Sequence, residues 1–333
     1  MSRANEESNN LLNLYERLYR WRERMIKTVN HNHEKLNQFH DLLIKWSVNL
    51  AMIKVGSEWG SPPARFAFIL MGSGGRFEQS VWSDQDHGII YECGEEYQPY
   101  YLALGSEITK ALSAVGYELC DGNVMSKNPL WCKSIYSWEE QIASWLEEES
   151  LESLRYFSTF FDSRVLIGER SFLQELKAFS FFKLKENPNL YIRLLKNVSH
   201  FRKGIGPFGQ LLPAFSGENS GTINLKESVF YPYINSLRLI ALKEGISVPS
   251  TLSRFDHLPN VYSHIKDYKQ DYLNLLNFRL IFKKNAESYK KVHLLNVTEL
   301  SKQDKKLLKC LMKKGYGLFS DTTELIYEGV KRW

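Results

Sequence analysis

A glycine-rich segment followed by two aspartates stands out from the rest of the 333-residue sequence. It covers residues 68–91 and has the sequence FILMGSGGRFEQSVWSDQDHGIIY. Glycines let the backbone approach a ligand closely, and the first N–H groups of a helix suit phosphate oxygens. Ser73 can add a hydroxyl donor, and Arg76 can add a planar cation that matches phosphate. The segment therefore predicts a nucleotide-binding turn around Gly72, Ser73, Gly75 and Arg76.

Asp84 and Asp86 are two residues apart at the predicted start of a strand, so both side chains should leave the same face of the sheet. Two hard oxygen ligands beside a phosphate-binding turn suit a magnesium ion that protein and nucleotide bind jointly. The turn is not a Walker loop, because no Gly-Lys-Ser/Thr follows it. A glycine-rich turn or an aspartate pair alone is often only a turn or a helix cap. Their order and spacing together favour a nucleotide site with magnesium, or manganese, as cofactor.

The elements that must position these residues follow from the hydrophobic pattern. From Asn10 to about Val55, apolar residues recur every three or four positions, which predicts two helices. A loop rich in Gly, Ser and Pro follows at residues 56–63, then buried strands at residues 65–71 and about 86–91. The Leu and aromatic residues of the first two helices fit either an intramolecular core or the surface of a homodimer.

Strands and helices alternate through the rest of the first half. We predict helices at residues 97–115 and 137–148, and strands at residues 116–120 and 156–167. This alternation indicates an α/β or α+β sheet domain. After Gly168 the period is helical and no strand is predicted, so the second half is expected to be a helical bundle. Its predicted helices cover residues 191–201, 233–243, 262–289 and 300–314.

Composition excludes several classes of protein. Aromatic residues make up 14% of the chain and hydrophobic residues 43%, which is not the composition of a disordered chain. The longest apolar stretch, residues 66–71, is far shorter than the roughly 20 residues that span a bilayer. The N-terminal residues do not resemble a secretory signal. We therefore expect a cytoplasmic protein with no membrane partner.

The cysteine and histidine residues predict no second metal site. Cys93, Cys120, Cys132 and Cys310 contain no Cys-x-x-Cys pair. Their spacing fits neither a disulfide framework nor a zinc knuckle, and we interpret all four as reduced core or surface thiols. The His-Asn-His sequence at residues 31–33 lies between two predicted helices without a nearby third ligand, so an exposed turn is expected.

Residues 204–209 match G-x-G-x-x-G, the glycine pattern of dinucleotide-binding loops. Pro207 lies inside the pattern and no predicted strand precedes it, although the dinucleotide fingerprint requires one. We therefore predict a loop between helices.

A basic tract at residues 281–316 contains ten lysines against three acidic residues, a local charge of +7. Such a tract could bind nucleic acid. Lys305, Lys306 and Lys309 are interleaved with leucines at helical spacing, which is more typical of the solvated face of an amphipathic helix. We expect no nucleic-acid partner and keep nucleic-acid binding by this tract as an alternative function.

The glycine and aspartate motif resembles the signature of nucleotidyltransferases with the DNA polymerase beta fold. More closely, the sequence resembles the bacterial nucleotidyltransferase family related to the uridylyltransferase that modifies the PII nitrogen-signalling protein. The resemblance covers about residues 35–325, and members often carry CBS or cyclic-nucleotide-binding modules, neither of which is recognised in this sequence. It continues at residues 60–63, 120–125, 128–131 and 161–168, and in the helical half at residues 224–226, 238–242, 245–246 and 251–254.

The resemblance implies an α+β fold in which a polymerase beta-like nucleotidyltransferase domain precedes an all-α substrate-binding domain. It divides the chain into N-terminal helices at residues 1–58, a nucleotidyltransferase domain at residues 59–172 and a helical domain at residues 173–333. The implied activity is transfer of a nucleoside monophosphate from an NTP to an acceptor hydroxyl with release of pyrophosphate. The expected acceptor is a protein of a bacterial signalling pathway.

Residue by residue, the resemblance implies that Gly72 and Ser73 hold the terminal phosphates of the nucleotide and that Asp84 and Asp86 bind magnesium. Lys226, which lies in the helical half, could contact the nucleotide from the other side of a cleft. Two further basic residues there, Arg238 and Arg254, could do the same. Salt bridges on the surface of a helix would use these residues equally well.

Such folds usually need a third carboxylate beside the metal. Asp162, matched to the family's Asp-x-Arg in a predicted strand, is the candidate, and Asp121 is the rival. His87 stands where close relatives have Asn, so it either perturbs metal binding or packs beside the metal site. Glu78 is expected to pair with Arg76 or to cap the helix.

A nucleotide sensor is the first alternative to an enzyme. Such a module would keep the fold and the site and would control a partner without chemistry. The presence of both Asp84 and Asp86 favours chemistry, because a sensor can dispense with one of them. The unassigned third carboxylate favours a sensor.

Overall fold

The computed structural model describes residues 2–92 and 94–331, so Cys93 lies outside the described residues. The described ranges contain no helix that is long and apolar enough to cross a membrane. The chain forms two compact units, and the boundaries predicted near residues 58 and 172 stay predictions. The first unit comprises Met1–Ile142 and Ser163–Leu176, and the second comprises Ala143–Asp162 and Lys177–Trp333.

The first 186 residues contain four strands among seven helices in the described ranges. In chain order they are α1 (Ser2–Val29), α2 (His33–Trp59), β1 (Phe66–Leu70), α3 (Gly72–Gly75), β2 (His87–Tyr91), α4 (Gln98–Ala114), β3 (Cys132–Ser134), α5 (Ile135–Glu148), α6 (Leu151–Phe161), β4 (Arg164–Gly168) and α7 (Arg170–Glu186). Short 3₁₀ turns occur at Glu95–Tyr97 and Pro129–Trp131.

The rest of the chain is mainly helical. It contains α8 (Asn189–Val198), β5 (Thr222–Asn224), a π-helical turn (Lys226–Phe230), α9 (Tyr231–Glu244), α10 (Thr251–His257), α11 (Ser263–Lys266), α12 (Tyr268–Lys283), α13 (Tyr289–Val292), β6 (Leu294–Asn296) and α14 (Lys302–Lys331). Further 3₁₀ turns occur at Asn260–Tyr262 and Val297–Glu299. The α+β class predicted from the sequence is confirmed.

The sheet of the first unit has the strand order β3-β2-β1-β4. β2 and β4 run antiparallel to β1, and β3 runs parallel to β2. Every residue of β1 and β2 is buried, which explains why both strands are continuous apolar runs rather than alternating patterns. The register pairs Leu70 with His87, and the Met71 N–H then donates to the Asp86 carbonyl oxygen at 2.8 Å. The glycine-rich turn and the aspartates therefore leave the sheet at one edge.

The two N-terminal helices pack into the same core as the sheet. Tyr15 from α1 and Leu43 and Val48 from α2 belong to one buried cluster with Phe68 and Tyr91 of the strands. Of the two interpretations of their apolar faces, the intramolecular core is therefore observed. Asn32 caps α2 by accepting a hydrogen bond from the Lys35 N–H. His31 and Asn32 are exposed as predicted, whereas His33 is half-buried and begins the helix.

The second unit has its own hydrophobic core, formed mainly by α9, α10, α12 and α14. Phe230, Tyr233, Tyr272, Leu311 and Met312 lie at its centre. The predicted helical bundle is confirmed, but the expectation of no strand was wrong. β5 and β6 pair antiparallel, with Ile223 opposite Leu295. Strands of three residues are too short to show a period of two in the sequence.

Three other predicted elements differ from the structure. Residues 156–167 form the end of α6 followed by β4, because buried Leu154, Phe157 and Phe161 recur at helical spacing after the Ser150 N-cap. The strand predicted at residues 116–120 is reduced to one bridge to Asp84. α2 extends into the first half of the predicted loop and ends at Trp59, before Gly60, whose φ of 84° suits glycine.

Candidate functional site

Asp84, Asp86 and Cys120 meet at the edge of the sheet in the first unit. One ligand atom from each, a carboxylate oxygen or the thiol sulfur, lies within 4.8 Å of the other two. All three side chains are half-buried, so they are reachable from solvent. Within the described ranges, no other group of three or more acidic, cysteine or histidine side chains has the spacing of metal ligands. The structure therefore brings together the two predicted aspartates and a cysteine that was not assigned to the site.

Backbone pairing explains how Cys120 reaches the aspartates. The Glu118 N–H donates to the Ser83 carbonyl oxygen at 3.2 Å, and the Gln85 N–H donates to the Glu118 carbonyl oxygen at 3.0 Å. These bonds form a parallel bridge between Asp84 and Glu118. Because side chains alternate along extended backbone, the residue two positions after Glu118 lies opposite Asp86. The register thus places Cys120 beside Asp86.

Gln85 and His87 point to the opposite side of this segment and are buried. The Ser126 N–H donates to Nδ1 of His87 at 3.2 Å, so Nε2 carries the proton and donates to Oε1 of Gln85 at 3.2 Å. Burial, with a smaller contribution from the charge of Lys127, lowers the pKa of His87 to about 3. His87 is therefore a neutral packing residue, which is the second of the two roles predicted for it.

The glycine-rich turn forms the four-residue helix α3, with Gly72 in the left-handed region at φ 53°. A Cβ on Gly72 would lie 2.0 Å from Oδ2 of Asp86, so the backbone of the turn touches the carboxylate directly. Ser73 is half-buried, and its hydroxyl lies 3.5 Å from that of Ser83. A side chain at position 72 would fill the space beside Asp86, which only glycine leaves open.

Arg164, the first residue of β4, holds the glycine-rich turn in place. Its Nε donates to the Gly74 carbonyl oxygen at 2.9 Å, and its guanidinium binds the Asp41 carboxylate of α2. The same guanidinium covers the ring of Phe77 at 3.7 Å. Phe77 has a φ of 58°, a left-handed conformation that is costly for a bulky residue. Helix α2, strand β4 and the turn are thus linked through one arginine.

Arg76 lies in a different environment from the one that phosphate binding assumes. It is buried with 8% of its surface exposed, and its Nε donates to Oε2 of Glu78 at 2.7 Å. The pairing predicted for Glu78 is therefore present. A phosphate contact by Arg76 stays a prediction.

Side chains from the N-terminal helices hold three consecutive backbone positions that precede the aspartates. Asn37 of α2 accepts from the Gln79 N–H at 2.9 Å. A ring nitrogen of His40, also on α2, bonds the Ser80 carbonyl oxygen at 2.8 Å. Arg22 of α1 donates to the Val81 carbonyl oxygen at 3.0 Å. Sequence analysis missed these three residues, although buried polar residues at helical spacing on an apolar face are a signal that could have found them.

His40 uses both ring nitrogens in buried hydrogen bonds. Its Nε2 donates to the Ser80 carbonyl oxygen at 2.8 Å, and in the neutral ring Nδ1 accepts from the Tyr117 hydroxyl at 2.8 Å. Burial and, to a smaller extent, the charge of Arg22 lower its pKa to about 3. Arg22 in turn stacks over the ring of Trp82 at 4.6 Å. The segment leading to Asp84 is therefore held by four buried side chains, those of Arg22, Asn37, His40 and Tyr117.

Two family models match the sequence, in the order that the resemblance predicted. The model described as "Putative nucleotidyltransferase DUF294" matches residues 16–152. The model described as "Putative nucleotidyltransferase substrate binding domain" matches residues 188–318. The chain belongs to this two-domain nucleotidyltransferase family. No curated protein matches the sequence.

The first family model covers the site from Arg22 on α1 to Cys120, whereas Arg164 on β4 lies outside the matched residues. The family fixes the general chemistry as nucleotidyl transfer, and the first unit supplies a suitable donor set for its divalent metal. Two aspartate oxygens are hard ligands, and the space that a Cβ on Gly72 would fill is left beside them. The residues present therefore fit a divalent cation.

Asp162, the predicted third carboxylate of this nucleotidyltransferase, is completely buried in the second unit. Arg238 binds it with Nε at 3.1 Å from Oδ1 and Nη2 at 2.5 Å from Oδ2. Arg254, which is also completely buried, lies 2.8 Å from Oδ1. The prediction that Asp162 lies in a strand was wrong, because it ends α6. Its carboxylate oxygens carry contacts to two guanidinium groups.

Lys177 completes this basic environment around Asp162. It is buried, donates to the Ser247 carbonyl oxygen at 2.9 Å, and lies over the ring of Phe161 at 5.5 Å. Burial and the neighbouring Arg254 lower the pKa of Lys177 to about 7, although Asp162 acts in the opposite direction. Arg238 and Arg254 thus form a buried cluster in the second unit rather than the surface salt bridges considered as their alternative.

The other predicted site residues have different degrees of exposure. Asp121 is exposed in the turn after Cys120. Lys226 is half-buried at the start of the π-helical turn in the second unit. In the basic tract, Leu308 is buried between partly or fully exposed lysines of α14, as expected for an amphipathic helix.

Proposed function

We propose that this nucleotidyltransferase moves a nucleoside monophosphate from an NTP to an acceptor hydroxyl, with magnesium bound at Asp84 and Asp86. The observation that carries the proposal is the contact between the turn at Gly72 and the Asp86 carboxylate. Oδ2 of Asp86 lies only 2.0 Å from the position that a Cβ on Gly72 would occupy. A turn suited to phosphate and a carboxylate pair suited to a cation lie in direct contact, as transfer from a metal-bound nucleotide requires. The residue assignments also follow the family resemblance.

In the proposed reaction, the acceptor oxygen forms a bond to the α-phosphorus while the bond to the bridging oxygen of pyrophosphate breaks. The proton of the acceptor hydroxyl leaves to solvent, directly or through a carboxylate. Gly72 and Ser73 hold the terminal phosphates, so the leaving group is oriented in line with the acceptor. Asp84 and Asp86 would hold the cation. When bound, this cation neutralises charge that develops on the phosphates. Gly75, Arg76 and Lys226 are retained as further nucleotide contacts.

The acceptor that we propose is a signalling protein in the cytoplasm of a bacterium, modified in a uridylyltransferase-like reaction. This part of the proposal rests on the resemblance to the PII-protein uridylyltransferase. A homodimer formed through the N-terminal helices is retained as a hypothesis, since Trp46 and Ile53 of α2 are 46% and 67% exposed. Such exposed apolar residues are compatible with a partner surface.

The third carboxylate of the proposed mechanism has two candidates, Asp121 and Asp162. Asp121 is exposed, whereas Asp162 is enclosed by Arg238 and Arg254. We propose that the main role of Asp162 is structural, as the buried anion that pairs with two arginines in the second unit. A catalytic role of Asp162 is a separate hypothesis, which mutation tests. Substitution of each aspartate by asparagine separates the two candidates.

A nucleotide sensor is the second candidate function. The observation in its favour is that the third side chain beside Asp84 and Asp86 is the thiol of Cys120 rather than a carboxylate. A sensor would bind an NTP with magnesium and release no pyrophosphate. Measurement of pyrophosphate therefore distinguishes the sensor from the enzyme.

The direct test is transfer of label from each of the four NTPs, labelled on the α-phosphate, to protein in an extract of the source cells. We expect label transfer and pyrophosphate release with one nucleotide, and losses of about 100-fold or more in Asp84→Asn and Asp86→Asn. Glu58→Gln, which changes an exposed carboxylate on α2, is the matched control and should be fully active. Equal transfer by all variants would refute the proposal.

A further inference from the structure

Cys120 is the member of the metal-binding cluster that the proposed transfer reaction does not use. Its sulfur and one oxygen each of Asp84 and Asp86 lie within 4.8 Å of one another. The side chain is half-buried, and it hydrogen bonds to Asp86. A single cation at the centre of the three atoms could therefore contact all of them after small side-chain movements.

The position of Cys120 is fixed by backbone contacts on both sides. Before it, Glu118 bonds to Ser83 and to Gln85 in the parallel bridge. After it, the Asn123 N–H donates to the Cys120 carbonyl oxygen at 2.9 Å, and Asn123 has a left-handed φ of 52°. The chain then returns to the sheet, where the His87 N–H donates to the Val124 carbonyl oxygen at 3.0 Å. The sulfur therefore belongs to the built part of the site.

The chemistry of this donor set differs from that of a pure carboxylate pair. Magnesium takes oxygen ligands and discriminates against sulfur, whereas zinc and cadmium bind thiolate strongly. Catalytic zinc sites commonly use three protein ligands and leave a further position for water or substrate. Two carboxylate oxygens and one sulfur are a set of this size. The thiol proton leaves to solvent when the metal binds.

We propose that Cys120 is the third protein ligand of the metal centre and the residue that selects the metal. Cys120 makes the site bind a thiophilic divalent cation of the zinc class more tightly than magnesium. The inference rests on the proposed function because it uses the same two aspartates as metal ligands, and it differs in the cation that the site prefers. It adds that the sulfur, and not a third carboxylate, completes the set of ligands.

Cadmium is the probe, because a sulfur-to-cadmium bond gives an ultraviolet charge-transfer band that magnesium cannot give. The full chain is freed of metal with a chelator and titrated with cadmium at neutral pH. The band should saturate in the wild type and persist in excess magnesium. It should be lost in Cys120→Ser and retained in Cys310→Ser, the matched control that removes an exposed thiol of α14. The double variant Asp84→Asn/Asp86→Asn should bind cadmium at least about tenfold more weakly.

Two results would overturn the inference. The first is the absence of the cadmium band in the wild type, and the second is a band of equal strength and affinity in Cys120→Ser. Circular dichroism confirms that each variant is folded, and Cys120→Ala provides a second variant of different polarity. The proposed function fails separately, because it predicts magnesium-dependent nucleotide binding and transfer. A Cys120-dependent cadmium band without transfer would leave the metal assignment standing and refute the enzyme.

Discussion

Oδ2 of Asp86 lies 2.0 Å from the position that a Cβ on Gly72 would occupy. The two residues are fourteen positions apart in the sequence. They are brought together by a backbone hydrogen bond of 2.8 Å from the Met71 N–H to the Asp86 carbonyl oxygen. Gly72 also has a φ of 53°, which glycine adopts at little cost. The turn and the carboxylate therefore form one unit, so that a change in either must move the other.

Replacement of Gly72 by alanine tests this contact. The new Cβ would displace the Asp86 carboxylate, and the left-handed backbone adds a cost of about 1 kcal/mol. We expect Gly72→Ala to abolish stabilisation by nucleotide with magnesium, measured as the shift in melting temperature. Gly56→Ala is the control, because Gly56 lies inside α2 with open space around it. That substitution should raise stability by up to about 1 kcal/mol and keep the nucleotide response. A normal response in Gly72→Ala would contradict the contact.

Arg22 provides a test of the support that the N-terminal helices give to the site. Arg22→Met removes the donor to the Val81 carbonyl oxygen and the charge over Trp82. We expect a loss of about 1–3 kcal/mol in the free energy of unfolding, because a buried acceptor is left unpaired. The affinity for nucleotide with magnesium, measured by calorimetry, should fall as well. Arg20→Met, which removes a side chain that is 68% exposed on the same helix, should change neither quantity measurably.

The sequence predicted the parts of the site that are local in the chain. The turn, the two aspartates and the strands on either side lie within 26 residues, and both strands were predicted from their apolar runs in the sequence. Cys120 could not be assigned in this way. It reaches Asp86 through the parallel bridge of Glu118 to Asp84, a pairing between distant segments that leaves no periodic signal.

Asp162 differs from Cys120, because the sequence motif around it was recognised but its contacts in the folded protein were not. The aromatic residues before it suggested a strand, whereas they form the buried face of α6. Its partners Arg238 and Arg254 lie more than 70 residues away in the sequence, so only the folded second unit could show that they neutralise it.

Asp162→Asn therefore tests a structural role. Removing the negative charge leaves Arg238 and Arg254 without their counter-ion in a buried position. We expect a loss of about 3–5 kcal/mol in the free energy of unfolding by urea. Asp256→Asn is the control, because Asp256 is 56% exposed and pairs with Lys269, so the loss should be under about 1 kcal/mol. If Asp162→Asn is as stable as the wild type but loses transfer, the catalytic assignment is favoured instead.

The buried histidines predict how stability depends on pH. The pKa values of His40 and His87 are lowered from 6.5 to about 3, so both rings are neutral in the folded protein. The unfolded chain binds more protons below pH 6.5, and stability must therefore fall as the pH decreases through that value. Between about pH 7.5 and pH 5, we expect a loss of about 2 kcal/mol for each ring.

Urea unfolding of His40→Gln at both pH values isolates the contribution of one ring. The variant should be less stable at neutral pH, but its further loss on acidification should be smaller than that of the wild type by about 2 kcal/mol. His31→Gln, in the exposed turn before α2, should leave the difference between the two pH values unchanged. An unchanged difference in His40→Gln would show that the ring is not buried as a neutral group.

The most direct test of the central claim is thermal unfolding of the wild type and of Asp84→Ala/Asp86→Ala with ATP, UTP, GTP or CTP, each with and without magnesium. A ligand that binds only the folded state must raise the melting temperature. We predict that one nucleotide stabilises the wild type only with magnesium, that the double variant loses this shift, and that Glu58→Gln keeps it. Stabilisation of the double variant equal to that of the wild type, or no shift with any nucleotide in the wild type, would contradict a nucleotide site built on these two aspartates.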